Sequence, residues 1–83
     1  MSRYDPLTRF LEAGTCEPIT LTMTQVGLLV GGLPASAYSY PVWWQNDDPS
    51  HSHCQAWRNA GFTAHPDLER GAVTFRPVPT SAP

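Results

Sequence analysis

Proline and glycine punctuate this 83-residue chain so heavily, nine and six times, that only short elements joined by many turns fit between them. The positions of those breaks set the expected elements. Asp5-Pro6 opens a first helix, Asp5 as the cap and Pro6 at the first helical position. Leu7, Phe10 and Leu11 follow as one apolar stripe, and Gly14 ends it in the left-handed conformation that helix ends favour. Ile19-Thr20-Leu21 reads as a short strand. A second helix starts at Thr22: Thr22 and Gln25 fit a capping box, and Leu21 and Val26 stand at the staple positions. Val26, Leu29 and Val30 form its buried stripe, and Gly31-Gly32 stops it. Gly27, a poor helix former, marks a close approach of another backbone segment.

Pro34 begins one further helical turn, followed by Pro41 and the Trp43-Trp44 pair. A third main helix is predicted from Pro49 to Ala60, capped by Asp47 or Asp48 and ended by Gly61. Phe62 to Ala64 and Ala72 to Arg76 read as two strands of a hairpin with a polar tip over 66–71. The expected organisation is one globular domain over 1–77 and a flexible tail over 78–83, which has nothing to bury. The fold class is α+β: helix, short strand, helix, inserted aromatic loop, helix, C-terminal hairpin. That is the element order of a small winged-helix-like domain. The insertion, Pro34 through Asp48, departs from the turn of three or four residues usual in such units.

Several pieces form a pattern: Leu33-Pro34-x-Ser36-Ala37, Trp43-Trp44-x-Asn46, Ala56-Trp57-x-x-Ala60-Gly61-Phe62 and Val73-Thr74-Phe75-Arg76. With Tyr4-x-Pro6-Leu7 at the start, they resemble a small, poorly characterised family of bacterial and phage domains. The resemblance spans nearly the whole chain. It implies a compact single domain and no established activity.

Composition narrows the chemistry. A chain this short buries only about 60–65% of its unfolded surface, which leaves little room for a deep, water-excluding pocket. Five Arg, no Lys and seven acids give a net charge of −2, unlike a non-specific nucleic-acid binder. No apolar run is long enough to span a membrane, and the N-terminal residues do not read as a secretory signal. Cys16 and Cys54 suffice for one disulfide but resemble no secreted framework, so a cytoplasmic setting with reduced thiols is expected.

His51, His53, Cys54, Cys16 and His65 are metal-ligand types, yet no paired zinc spacing occurs, and on a helix His53 would point away from His51 and Cys54. Cys54 falls on the Trp57 face, which predicts burial rather than a reactive thiolate beside an imidazole. Asp47-Asp48 read as capping residues, and no phosphate-binding loop is present. No catalytic residues, metal or cofactor are expected.

Non-catalytic binding remains. On the third helix, His51, Ser52, Gln55, Arg58 and Asn59 make a polar face, with Arg70 at the hairpin tip and Arg76 on its strand. Gln and Asn read adenine edges, Arg reads guanine, and His, Ser and Arg hold phosphates. DNA binding through the third helix and the hairpin is the first expectation. The alternative is a protein–protein interaction module, an adaptor or an inhibitor of a larger enzyme, using Tyr40, Trp43, Trp44, Gln45 and Asn46 of the insertion. One of Trp43 and Trp44, together with Trp57, is expected in the core, because adjacent residues of a regular element face differently. A homodimer through the exposed aromatics is compatible with this surface and not required by it.

Overall fold

The computed structural model describes residues 3–14, 17–47 and 51–78. Its elements are α1 (Asp5–Ala13), β1 (Ile19–Thr22), α2 (Met23–Val30), α3 (Ala35–Ser39), a 3₁₀ turn (Pro41–Trp44), α4 (Ser52–Arg58), β2 (Phe62–Asp67) and β3 (Ala72–Pro77). The class is α+β, with a three-stranded antiparallel sheet in the order β1-β3-β2. β3 lies in the centre because Leu21 pairs with Val73 on one side and Ala64 pairs with Phe75 on the other. Alternation sends Leu21, Val73, Phe75, Phe62 and Ala64 inward and leaves Thr20, His65 and Arg76 on the outer face. The outer row is polar, with the Thr20 and Thr74 hydroxyls bonded across strands at 2.8 Å.

The helices cover the inner face. Leu7 and Leu11 of α1 and Val26 and Val30 of α2 are buried there, while Phe10 is 40% exposed, so the predicted α1 stripe is narrower than expected. The Thr8 hydroxyl donates to the Ala56 carbonyl at 2.8 Å and ties α1 to α4. The centre is aromatic. Trp44 and Trp57 stack at 5.6 Å between centroids, and both meet Phe75. Each such ring removes roughly 150–250 Å² from water, an upper bound of about 4–6 kcal/mol per side chain. Three aromatics therefore add to an aliphatic core that includes Leu7, Leu11, Val26, Val30 and Val73.

Local signals held best at α2. Thr22 Oγ1 accepts from the Gln25 N–H and Gln25 Oε1 accepts from the Thr22 N–H, completing the capping box, and Gly31 ends the helix at φ +79°. Several expectations are corrected. The N-cap residue of α1 is Tyr4, and Asp5 is already the first helical residue. Gly14 follows α1 with extended backbone at φ −83°, not left-handed. At Gly27 the nearest atoms to an added Cβ would stand at 3.8–3.9 Å, ordinary contact rather than a close approach.

The predicted third helix is shorter than Pro49 to Ala60: α4 begins at Ser52, with His51 as an extended N-cap residue, and Asp48, Pro49 and Ser50 lie outside the described residues. The hairpin is longer than predicted, because β2 runs on through Pro66 to Asp67 and only 68–71 turn. An edge strand tolerates Pro66, whose missing N–H would face outward. Beyond β3, the Val78 N–H donates to the Gly61 carbonyl at 2.8 Å; residues 79–83 and Cys16 lie outside the described residues.

Candidate functional site

The insertion is ordered by its own sequence. Pro34 precedes α3, Pro41 starts the 3₁₀ turn, and at three residues per turn the adjacent Trp43 and Trp44 diverge by about 120°. Trp44 turns inward to 1% exposure and donates its indole N–H to the Ala37 carbonyl at 2.9 Å. The expectation of Trp44 as a contact residue is therefore corrected: it is core. Trp43 is half-buried and packs on the outside of that core.

Asn46 is committed to the fold rather than offered to a partner. Its Oδ1 accepts from the Trp57 indole at 2.8 Å and from the Ala64 N–H at 2.6 Å, while Nδ2 donates to the Ala64 carbonyl at 2.9 Å. Its amide thus occupies the outer edge of β2 as a neighbouring strand would. Pro66, two residues along on the same edge, has no N–H to offer.

Two of the three indoles thus donate inside the protein. Trp43 has no hydrogen-bond acceptor among the described residues, and no side-chain nitrogen or oxygen is both buried and unpartnered, so its N–H reaches solvent. Trp43 also heads a stack of rings: His53 lies parallel to it at 4.0 Å and 8°, and His51 stacks on His53 at 5.2 Å and 18°. Tyr4 meets Trp43 and His53 edge-on. The prediction that His51 and His53 point apart is corrected; it assumed both were helical, whereas the extended backbone at His51 (φ −90°, ψ 127°) lets the rings align.

A shallow, open groove of about 240 Å³ lies beside this stack, lined by Ser36, Tyr40, Val42, Trp43, Gln45, His51 and His53. Tyr40 and Val42 stand 60% and 65% exposed on its rim. Ser36, Val42 and His53 were not singled out in the sequence as contact residues; only Pro41, which starts the turn, hinted at their grouping. A second depression of about 280 Å³, on α1 and α2, is lined by Phe10, Leu21, Gln25, Leu28 and Leu29.

The predicted DNA-reading residues divide. Ser52, Gln55, Arg58 and Asn59 are all exposed along α4 and its C-terminal cap, and His51 is exposed just before it. Cys54, Ala56 and Trp57 take the opposite, buried face. The hairpin arginines separate: Arg70 lies in the tip, 3.6 Å from Asp67, while Arg76 pairs with Thr63 near the base. From Ala72 to Arg76 alone β3 spans about 13 Å at ~3.3 Å per residue. Arg3 donates to the Gly32 carbonyl at 2.5 Å and lies 5.4 Å from the Tyr4 ring centre. Among the described residues, no group of three or more His, Cys, Asp or Glu side chains converges on a possible metal position, and no helix is long and apolar enough to cross a membrane.

Compared with known proteins, residues 4–77 match the family described as a domain of unknown function, DUF7662. No curated protein and no solved structure matches the chain.

Proposed function

The chain belongs to DUF7662, a domain of unknown function, and we propose that it is a non-catalytic binding module that meets a protein partner through the insertion between α2 and α4. One observation carries this reading. The same short segment that anchors Trp44 in the core holds Tyr40 and Val42 60% and 65% exposed on a braced support. Rigid aromatic and aliphatic side chains lose little entropy on docking, which is why interfaces use them as anchors.

A second reading, DNA binding by a winged-helix-like domain, is favoured by the outer face of α4. There Ser52, Gln55, Arg58 and Asn59 are exposed together, and the strand order β1-β3-β2 would make β2 and β3 the wing. The net charge of −2 and the separation of Arg70 from Arg76 weigh against it.

The experiment compares wild type with Tyr40→Ser/Val42→Ser and with Gln55→Ala/Arg58→Ala, each checked for an unchanged melting temperature. Expected is a partner protein cross-linked by wild type and by the α4 variant and lost from the insertion variant, with no salt-dependent affinity for duplex DNA. Salt-dependent DNA binding abolished by the α4 variant alone overturns the protein-contact reading in favour of DNA.

A further inference from the structure

The two edges of the sheet differ. Along β2, Asn46 takes the outward N–H and carbonyl of Ala64, and Pro66 has no N–H. β1 forms the other edge and is paired with β3 alone among the described residues. The register fixes which of its backbone groups face outward. The Met23 N–H donates to the Gly71 carbonyl at 2.8 Å, one step beyond the Thr22–Ala72 pair. Alternation therefore turns the backbone of Ile19 and Leu21 toward β3 and that of Thr20 and Thr22 away from it. The Thr20 and Thr74 hydroxyls meet at 2.8 Å, the close approach of an antiparallel pair that exchanges no backbone bonds.

Thr22 is already committed: its N–H donates to Gln25 Oε1 and its carbonyl belongs to the first turn of α2. On the other side, Pro18 has no N–H. Exposed Thr20 is left with one outward donor and one outward acceptor, and no described group meets either. Residues 79–83 continue from Val78, which the Gly61 carbonyl holds on the β2 side of β3. Gly14 and Glu17 are joined by two residues, too few to run beside Thr20 as well. Next to this edge lies the depression of about 280 Å³ walled by Phe10, Leu21, Leu28 and Leu29, with no charged side chain in its lining. Leu28 is 81% exposed, more than any other large apolar side chain described.

We propose that two copies of this chain associate about a two-fold axis at Thr20, pairing their β1 edges antiparallel and closing their Leu28 depressions against each other. The edge chemistry fits a second copy. An antiparallel bonded pair exchanges one N–H and one carbonyl from each residue, which is what Thr20 offers. A foreign strand, however long, finds no further donor at Pro18 or Thr22, whereas a second copy also brings its own Leu28. Leu21 then stands opposite Ile19 of the second copy on the inner face, and the two Thr20 side chains meet on the outer one, apolar with apolar and polar with polar. The two Glu17 side chains fall roughly 20 Å apart at ~3.3 Å per residue, beyond the screening length of about 8–10 Å. Because Asn46 and Pro66 close the β2 edge, assembly stops at two copies. This surface shares no residue with the insertion, so the two contacts stand or fall separately.

The test is sedimentation of the intact protein from about 10 μM to about 1 mM, with amide exchange followed by NMR at both concentrations. Expected is a monomer–dimer equilibrium in which exchange of the Thr20 N–H slows severalfold as the concentration rises. Thr20→Pro removes the outward donor without taking a bond from β3, and should weaken the dimer roughly tenfold through two lost hydrogen bonds. Leu28→Ser, which removes a leucine from each side, should weaken it by at least about tenfold. Tyr40→Ser/Val42→Ser should leave it unchanged, and unchanged melting temperatures control for general damage. A monomer throughout the range, or a dimer indifferent to both Thr20→Pro and Leu28→Ser, overturns the proposal. A dimer lost only in the insertion variant overturns it in favour of association through the aromatics. A Thr20 N–H protected equally at both concentrations means that the chain's own residues cover the edge, and the proposal falls.

Discussion

The Asn46 side chain pairs with the backbone of Ala64, donating to its carbonyl and accepting from its N–H, as if it were one residue of a fourth strand. The same Oδ1 also receives the indole N–H of the fully buried Trp57. One amide thus closes a sheet edge, satisfies a core tryptophan, and fixes the end of the insertion against the hairpin.

Asn46→Ala should therefore act as a core substitution although Asn46 is only half-buried. It orphans the Trp57 and Ala64 N–H groups, and each unpaired buried donor costs about 1–3 kcal/mol. A loss of roughly 2–4 kcal/mol is expected, seen as a lower urea midpoint with little change in slope. Asn46→Asp keeps both accepted bonds and loses only the donated one, so it should fall between alanine and wild type. Equal stability of all three would refute the assignment.

The three tryptophans should separate by stability. Trp44→Phe and Trp57→Phe each leave space in the core and remove a hydrogen bond, to the Ala37 carbonyl or to Asn46 Oδ1, which keeps its bond from the Ala64 N–H. Each should cost about 1–3 kcal/mol. Trp43→Phe breaks no hydrogen bond in the described protein and should cost less than about 1 kcal/mol. Parallel urea melts of the three variants decide it.

Two glycines should respond with opposite sign. Gly31 sits at φ +79°, where a Cβ is strained, so Gly31→Ala should destabilise by about 1 kcal/mol. Gly27 lies inside α2 with room for a Cβ at ordinary contact distance. Gly27→Ala should therefore stabilise by about 0.5–1 kcal/mol through helix propensity and a less flexible unfolded chain. Thermal melts suffice: at this size 1 kcal/mol shifts the midpoint by roughly 4–8 °C.

The β2 edge makes a prediction about association. Replacing Asn46 and Pro66 together, as Asn46→Ala/Pro66→Val, restores unpaired backbone groups along one side of the strand. Self-association is expected for the double variant in size-exclusion runs at rising concentration. Wild type and Pro66→Val alone, which keeps Asn46 on Ala64, should elute alike. Identical elution of all three would show that the edge needs no such guard.

The parts that could be read beforehand are those whose cause is local. The Thr22–Gln25 capping box and the Gly31 stop act within a few residues, so α2 was legible end to end. Cys54 and Trp57 share a helix face by spacing alone, and their burial followed. The start of α4 was misread because Asp47, Asp48 and Pro49 carry a strong starting signal, whereas the described helix begins at Ser52.

What the sequence determined by itself was the class of fold and the order of its elements, since proline, glycine and capping residues restrict the backbone wherever they stand. It also required that Trp43 and Trp44 face different ways. Which of them entered the core was decided only by tertiary structure, through the Ala37 carbonyl and the rings of Trp57 and Phe75. The same holds for Asn46, whose partners lie 11 and 18 residues away, and for the alignment of His53 with Trp43. Periodicity tells which side of an element is apolar. It does not tell which distant group will be in place to satisfy a polar tip, and here that distinction separates the residues that build the insertion from those left exposed on it.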